Sequence, residues 1–437
     1  MVKLYIGGGI IMSLTENGYK KRLIDSKLEQ YLEVFGAILI EGPKWCGKTW
    51  TALNHAESVS YVTEKSTKKL AEINPKNIFS EKRPQLIDEW QIVPSIWDSV
   101  RHECDRGHET GKFILTGSTT LKKEKAKEQV HHSGAGRIAR LKMQTMSLFE
   151  SGDSKGVVSI SDMLNNKDIN KNIGEVELRY IANLIVRGGW PESLNIKESN
   201  YSLIPKSYVK SILNVELYEE DKIRDKNKMK MLLKSLARNE STIVKNQTLI
   251  KDIEDYEKSD DLLTSRTTVN DYLDFLQRLH LIDNQEAYSL NYRSPERVGK
   301  SVKRHFVDPS LACACLNLNS DKLMKDLNTF GFLFEALVER DLRVYMDYLD
   351  GNLYHFRDNV SGLEVDSILE FEDGDYAAVE IKLGYNEVDG AIKNLQTFYN
   401  DMEKKPKFMC VIVGVCEAAY KDPESGIYVV PITALKP

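Results

Sequence analysis

The chain has 437 residues, 41% hydrophobic and 29% charged, with a formal net charge of −5. That length exceeds one ordinary hydrophobic core, so about two to three domains are expected. The acidic balance excludes a polybasic nucleic-acid binder overall, though a local basic patch stays open because affinity for phosphate follows local charge. No apolar run approaches the ~18–20 residues that a membrane span requires.

The cysteines, Cys46, Cys104, Cys313, Cys315, Cys410 and Cys416, show no zinc spacing and fit a reduced, cytoplasmic setting. Residues 1–12 are apolar and glycine-containing with no small-residue cleavage site behind them, so a translation start at Met12 or a short edge segment is expected. Leu23, Ile24, Leu28, Tyr31 and Leu32 have helical spacing, and Ser26 is a candidate cap.

The stretch Gly42-Pro43-Lys44-Trp45-Cys46-Gly47-Lys48-Thr49 reads G-x-x-x-x-G-K-T, a phosphate-binding loop. Ala37 to Ile40 before it suits a buried strand, and Thr49 to Leu53 after it suits a helix start. In such a loop backbone N–H groups close round phosphates and the helix N-terminus adds positive potential. Lys48 is expected to reach the β- and γ-phosphates of ATP, and Thr49 to hold Mg²⁺.

Ser60 to Thr63 is a candidate strand, and residues 64–78 carry a charged helical pattern. Gln85-Leu86-Ile87-Asp88-Glu89-Trp90 is an apolar strand ending in two acids, as in a Walker B segment. Asp88 is the expected Mg²⁺ ligand, through water, and Glu89 the residue that polarises the attacking water. Ile96, Val100 and Cys104 share a helix face. Lys112 to Leu115 is a further strand, with Ser118 as the candidate γ-phosphate sensor at its tip and Thr116 as the alternative. Residues 121–128 are a Lys/Glu run expected to be a solvated loop. Arg137 follows a glycine turn and precedes the strand-like Ile138 to Met146. It is either a structural arginine or an arginine finger acting across a homo-oligomer contact, with Arg140 as the substitute.

Residues 153–174 are polar and read as a linker, and residues 175–295 as a mainly helical domain. Met229 to Asn239, Asn246 to Tyr256 and Thr268 to His280 are expected helices, and Leu281 to Tyr288 a strand, which is the order of a winged helix. Asp271 and Asp274 on the third helix repel phosphate and argue against insertion in a DNA groove, leaving Arg266 and Asn270 as the residues able to help.

Glu335 lies on the apolar face of a long helix over residues 321–347, sharing it with Val338 and Leu342. A carboxylate there needs a metal, a lysine or a hydrogen-bond donor. Gly362 to Leu369 and Tyr376 to Lys382 read as a hairpin. Strand alternation puts Glu364 with Asp366, and Glu380 with Lys382. Asp366 and Glu380 can converge on a divalent cation, with Lys382 beside the attacking water, as metal-dependent phosphodiester cleavage requires. Lys393, Gln396 and Lys404 lie on or near the following helix, and Cys410 to Val415 is a final buried strand.

Taken together, the segments Gly18 to Arg22, Gly42 to Thr49, Leu86 to Trp90, Leu115 to Ser118, Gly134 to Arg137, Arg187 to Pro191 and Leu363 to Lys382 resemble those of a prokaryotic P-loop ATPase family. Its members join an AAA-type domain to a C-terminal domain of unknown function related to the PD-(D/E)XK nucleases. The resemblance implies an α/β chain with an additional-strand P-loop domain over 18–152, a winged-helix-like middle and a restriction-endonuclease-like end over 296–437. It implies ATP and Mg²⁺ positions at Lys48, Thr49, Asp88 and Glu89, with Gly42, Pro43, Lys44, Cys46, Gly47 and Ser118 completing the nucleotide site. It further implies a nuclease triad of Asp366, Glu380 and Lys382, with Glu335 as the helix acid and Mg²⁺ or Mn²⁺ as the metal. DNA is the expected macromolecular partner, cleaved or only held.

Overall fold

The computed structural model describes residues 3–6, 9–12, 14, 18–107, 109–118, 134–214, 217, 224–257, 265–289, 302–358 and 360–437. Two compact units are formed, one of Met1–Thr145 with Leu276–Leu281 and one of Met146–Phe275 with Ile282–Pro437. The Lys/Glu run at 121–128 lies outside the described residues.

The first unit opens with an antiparallel hairpin of β1 (Lys3–Ile6) and β2 (Gly9–Met12). Then come α1 (Ile24–Val34), β3 (Ala37–Glu41), α2 (Lys48–His55), β4 (Ser58–Tyr61), α3 (Lys65–Ile73), β5 (Gln85–Asp88), α4 (Ser95–Asp105), β6 (Phe113–Gly117) and β7 (Ile138–Lys142). Strands β3 to β7 form a five-stranded parallel sheet in the order β4-β5-β6-β3-β7. Strand β6 therefore lies between the strand that leads into the phosphate loop and the strand that ends in Asp88, which is the expected additional strand.

A parallel sheet covered on both faces calls for strands that are apolar throughout. Ala37, Ile38, Leu39 and Ile40 accordingly have no exposed surface. Alternation splits them. Ala37 and Leu39 pack with Ile87, Leu115 and the α4 residues Ile96, Trp97 and Val100. Ile38 and Ile40 pack with Leu86, Ile114 and the α1 residues Leu28 and Leu32. All loops that follow the carboxyl ends of β3, β5 and β6 emerge on one edge, where ligands of open α/β sheets bind.

The second unit contains α5 (Leu148–Ser151), β8 (Val158–Ser159), α6 (Ile160–Leu164), β9 (Asn170–Asn172), α7 (Leu178–Arg187), α8 (Leu203–Asn214), α9 (Lys226–Arg238) and α10 (Asn246–Glu257). They are followed by α11 (Arg266–Arg278, its end from Leu276 on grouped with the first unit), β10 (Ile282–Ala287), β11 (Lys303–Phe306), α12 (Pro309–Leu316), α13 (Ser320–Leu323) and α14 (Leu327–Tyr348). The chain ends with β12 (Asn352–Arg357), β13 (Glu364–Glu370), β14 (Tyr376–Lys382), α15 (Val388–Asp401), β15 (Phe408–Val413), β16 (Ala418–Lys421), β17 (Tyr428–Pro431) and β18 (Leu435–Lys436). Nine strands form one sheet in the order β11-β10-β12-β13-β14-β15-β17-β16-β9.

Two expectations change here. Residues 153–174 are not a free linker: β8 pairs with β18 and β9 with β16, and Ile169 and Ile173 are buried. Their polar composition hid this because all three residues of β9, Asn170, Lys171 and Asn172, are exposed and only the flanking Ile169 and Ile173 turn inward. The helical stretch and the C-terminal sheet are also one unit, because β10 and β11 extend that sheet beside β12. On α11, Asp271 pairs with Arg224 at 3.2 Å and Asn270 accepts from Asn246 at 2.7 Å, so both are engaged within the unit.

Candidate functional site

Glycine at two points sets the geometry of the phosphate loop. Gly42 has a φ of 159°, and a Cβ there would stand 2.1 Å from the Met143 carbonyl oxygen. Gly47 caps α2 in the left-handed region at a φ of 105°. No side chain fits the first position, and the second favours glycine. Inside the loop the buried Lys48 ammonium donates to the carbonyls of Gly42 (3.0 Å) and Pro43 (2.7 Å). The Cys46 thiol is fully buried and directed at the Met143 carbonyl, 3.7 Å away, so its side chain belongs to the packing beneath the loop. Pro43 is buried and Lys44 half-buried.

Thr49 donates to Asp88 Oδ1 at 2.8 Å, and Thr116 donates to the same oxygen at 2.7 Å. The Thr116 hydroxyl also accepts from the backbone N–H of Glu89 at 3.2 Å. Burial raises the pKa of Asp88, against the opposing hydrogen bonds from the two threonines. Glu89 sits at a φ of 56°, which turns its side chain off the strand line. Its Oε2 accepts from Ser118 Oγ at 3.0 Å and from the Gln91 amide. Ser118 and Thr116 therefore both enter the site, in different roles: Ser118 touches the acid meant to activate water, and Thr116 fixes the pair of acids.

Arg137 is not at this edge. Its carbonyl accepts from Ala37 N, at the amino end of β3, and its guanidinium donates to Asp105 at 2.7 Å. Five strand residues separate that end from Gly42, roughly 16 Å at strand rise. Arg140 pairs with Glu41 at 3.0 Å. Arg137 therefore does not serve the phosphate loop of its own chain, while the partner of Arg140 is the residue just before Gly42.

In the second unit Asp366, Glu380 and Lys382 do converge. Lys382 Nζ lies 2.6 Å from Glu380 Oε2 and 3.2 Å from Asp366 Oδ2. Ile381 N donates to Asp366 Oδ2 at 2.8 Å. A register shift helps: Phe356 pairs with Val365 while Tyr354 pairs with Ile368, so β13 holds one extra residue around Asp366 and Ser367. A bulge re-aims side chains. Glu364 consequently does not join the cluster; it is exposed and pairs with Arg357 at 2.9 Å. Burial and the nearby Asp366 charge raise the pKa of Glu380 to about 7, against the pull of Lys382.

Glu335 is turned to Lys303, which also reaches Glu339 Oε1 at 3.2 Å. Among the described residues no three His, Cys, Asp or Glu side chains gather closely enough to hold a metal ion. Each of the three acids meets an ammonium, Lys382 for Asp366 and Glu380 and Lys303 for Glu335; the two that share one supply the pair of carboxylates that fits a divalent cation.

Residues 35–151 match the family model described as an AAA domain. The first unit carries an AAA domain. Residues 178–322 and 330–435 match two models described as domains of unknown function, DUF8612 and DUF4143. No curated protein sequence matches the chain significantly. Among solved structures, the chain is similar to a Walker-type ATPase of Pyrococcus abyssi at 14% identity, covering 67% of this chain and 94% of that one, with a TM-score of 0.43. It is also similar to the ORC2 protein of Aeropyrum pernix in ADPNP–ADP complexes (12% identity, 72% and 91% covered, TM-score 0.30). The ORC1 protein of the same organism in complex with DNA follows at 12% identity, 70% and 94% covered, with a TM-score of 0.25.

The first unit also uses residues, most of them outside the matched segment, that spacing did not single out. Arg22, buried, donates to Cys46 O at 2.9 Å and Gln144 O at 3.0 Å, tying the loop to the end of β7. Behind it Asp25 accepts from Tyr19 at 2.6 Å, and His55 lies 3.3 Å from the same oxygen. Arg22 falls in the Gly18 to Arg22 segment, but nothing in one sequence assigns it to the loop. In the second unit Asn394 donates to Glu380 Oε1 at 2.8 Å and Glu364 O at 2.7 Å, holding the acid from α15.

Proposed function

We propose that the chain is an ATP-hydrolysing switch coupled to a nuclease-type domain that acts on DNA. The observation that carries the first half is the shared contact of Thr49 and Thr116 on Asp88, next to Lys48 and the Ser118-held Glu89. Those residues fit Mg-ATP. The loop carbonyls that now satisfy Lys48 would give way to β- and γ-phosphate oxygens, and Thr49 and Asp88 would hold Mg²⁺. When bound, the ion neutralises phosphate charge. Glu89 accepts the proton of the attacking water, Ser118 keeps its carboxylate aimed, and Lys48 stabilises the negative charge left on the departing phosphate.

The second half rests on Asp366, Glu380 and Lys382 gathered at one end of β13 and β14. Two carboxylates beside an ammonium suit a divalent cation, a water and a phosphodiester. A second reading, a module that holds DNA without cutting it, is favoured by one specific observation: Lys382 is already tied to both acids, leaving the cluster partly self-neutralised.

One experiment separates these readings. Plasmid and single-stranded DNA are incubated with the protein, with and without ATP and Mn²⁺, beside Lys48→Ala, Glu89→Gln and Asp366→Ala. Loss of ATP turnover in the first two variants and loss of nicking in Asp366→Ala support the whole proposal. DNA binding without products, unchanged in Asp366→Ala, selects the non-cleaving reading. Full ATP turnover in Lys48→Ala sinks the switch.

A further inference from the structure

We propose that Lys303 is the resident counter-ion of the C-terminal acid cluster, so that the cluster takes a single divalent cation on Asp366 and Glu380 and Glu335 is not a ligand. The inference rests on the nuclease-type reading of that site.

Lys303 opens β11, at the edge of the nine-stranded sheet, and its side chain is 10% exposed. Its ammonium touches Glu335, lies 3.2 Å from Glu339 Oε1 and 3.5 Å from the backbone oxygen of Asp366. The space between the acids of α14 and the bulged strand β13 is thus filled by a cation that the chain itself supplies. Glu339 is engaged further: His305 Nε2 lies 2.6 Å from its Oε2, and Ser367 donates to its Oε1 at 3.2 Å.

Charge decides the consequence. Two buried carboxylates without a cation are costly, and an ammonium in contact with both removes that cost. A metal ion brought to Glu335 would meet Lys303 at close range and lose by repulsion what it gained from the carboxylate. Lys382 also touches Asp366 and Glu380, at 3.2 Å and 2.6 Å, but its side chain is 25% exposed against 10% for Lys303, so an arriving cation can turn it out to solvent whereas Lys303 is enclosed between Glu335 and Glu339. The source of Lys303 matters too. It comes from the region matched at 178–322, whereas Glu335, Asp366 and Glu380 come from the region matched at 330–435. The cluster is therefore composite, and the C-terminal region alone lacks its counter-ion.

The test is a Mn²⁺ titration of the full chain, without nucleotide, read by the electron paramagnetic resonance signal of the free ion. All samples carry Asp88→Asn to silence the AAA domain. One ion is expected to bind, and Glu380→Gln should abolish it. Glu335→Gln is expected to leave one ion and an affinity within about 3-fold, since a lost ligand or its support typically costs about 10–100-fold. Lys303→Met is expected to open a second Mn²⁺ site that Lys303→Met/Glu335→Gln lacks. A tenfold or larger affinity loss in Glu335→Gln overturns the inference while leaving the nuclease-type reading in place. So does a folded Lys303→Met that still binds one ion. If Lys303→Met does not fold, as far-ultraviolet circular dichroism will show, Glu335→Gln decides alone. Absence of Mn²⁺ binding in every sample sinks both the inference and the reading beneath it.

Discussion

The Gln91 amide donates to the carboxylate of Glu89, on the same oxygen that accepts from Ser118 at 3.0 Å. The acid proposed to activate water is thus held from two sides, leaving its other oxygen for the water. Among the described residues the buried Gln91 Oε1 has no hydrogen-bond partner, and the contact the side chain makes with Glu89 is through its amide donor. A general base contributes only when it is aimed, and small misplacements are expensive in rate. Gln91→Ala should lower kcat for ATP by about 10-fold with KM within about 2-fold. Steady-state ATP hydrolysis checks this; an unchanged kcat would show that Ser118 alone orients Glu89.

Thr116 joins the two acids, donating to Asp88 at 2.7 Å and accepting from Glu89 N at 3.2 Å. Thr116→Val preserves shape and removes both bonds. The buried Asp88 oxygen keeps only Thr49, and the Glu89 N–H loses its acceptor, at a cost of about 1–3 kcal/mol. For a unit of this size that lowers the midpoint of thermal unfolding by roughly 2–12 °C. Calorimetry of the full chain should show it in the AAA domain transition, with the other transition unmoved.

What the sequence made legible follows from separation along the chain. Gly42 to Thr49 is one contiguous loop, and Asp88-Glu89 are adjacent, so local pattern was enough. Asp366, Glu380 and Lys382 lie on one hairpin, where alternation and a short turn fix proximity. The bulge in β13 defeated the same alternation at Glu364, because an extra residue leaves no mark in composition. Lys303 lies 63 residues before Asp366, and a lysine in a short β-strand is usually a surface residue, so its burial against Glu335 was invisible. The buried acid on α14 was legible as needing a partner; which partner was a matter of tertiary structure. The same applies to residues 153–174, whose strands acquire meaning only through β16 and β18.

His305 gives the second unit a pH dependence. Burial opposes charge on its imidazole, yet Glu339 at one nitrogen and Glu240 at the other outweigh it and raise its pKa from 6.5 to about 9. Gln285 Oε1 also faces Nε2 at 3.2 Å. A raised histidine pKa means that the folded state holds the proton more tightly. The stability it contributes is complete below pH 6.5 and is lost as pH rises through 9, on the order of 3 kcal/mol. Thermal unfolding of the second unit should therefore weaken between pH 6.5 and 9, and His305→Gln should start lower and show a shallower slope, the remainder at the lower end of that window coming from Glu380, whose pKa is raised to about 7. Parallel slopes in the two proteins would show that another group titrates.

Arg137 tests how the AAA domain is used. Its guanidinium pairs with Asp105 at 2.7 Å at the amino end of the sheet, away from Gly42 at the carboxyl end. The pair is exposed, and a solvent-screened bridge of this kind adds little to stability. Arg137→Ala should therefore leave thermal stability nearly unchanged. Two uses of the arginine make opposite claims about dilution. If it is structural, turnover per chain stays the same at every protein concentration. If it acts on the phosphates held by a second copy, wild-type turnover rises with concentration as copies associate, and Arg137→Ala removes that rise while leaving the dilute rate within about 2-fold. The geometry excludes a third outcome, a large loss at high dilution, because that would require the arginine to reach the loop of its own chain. ATP turnover measured from nanomolar to micromolar protein, beside sedimentation of the same samples, distinguishes all three.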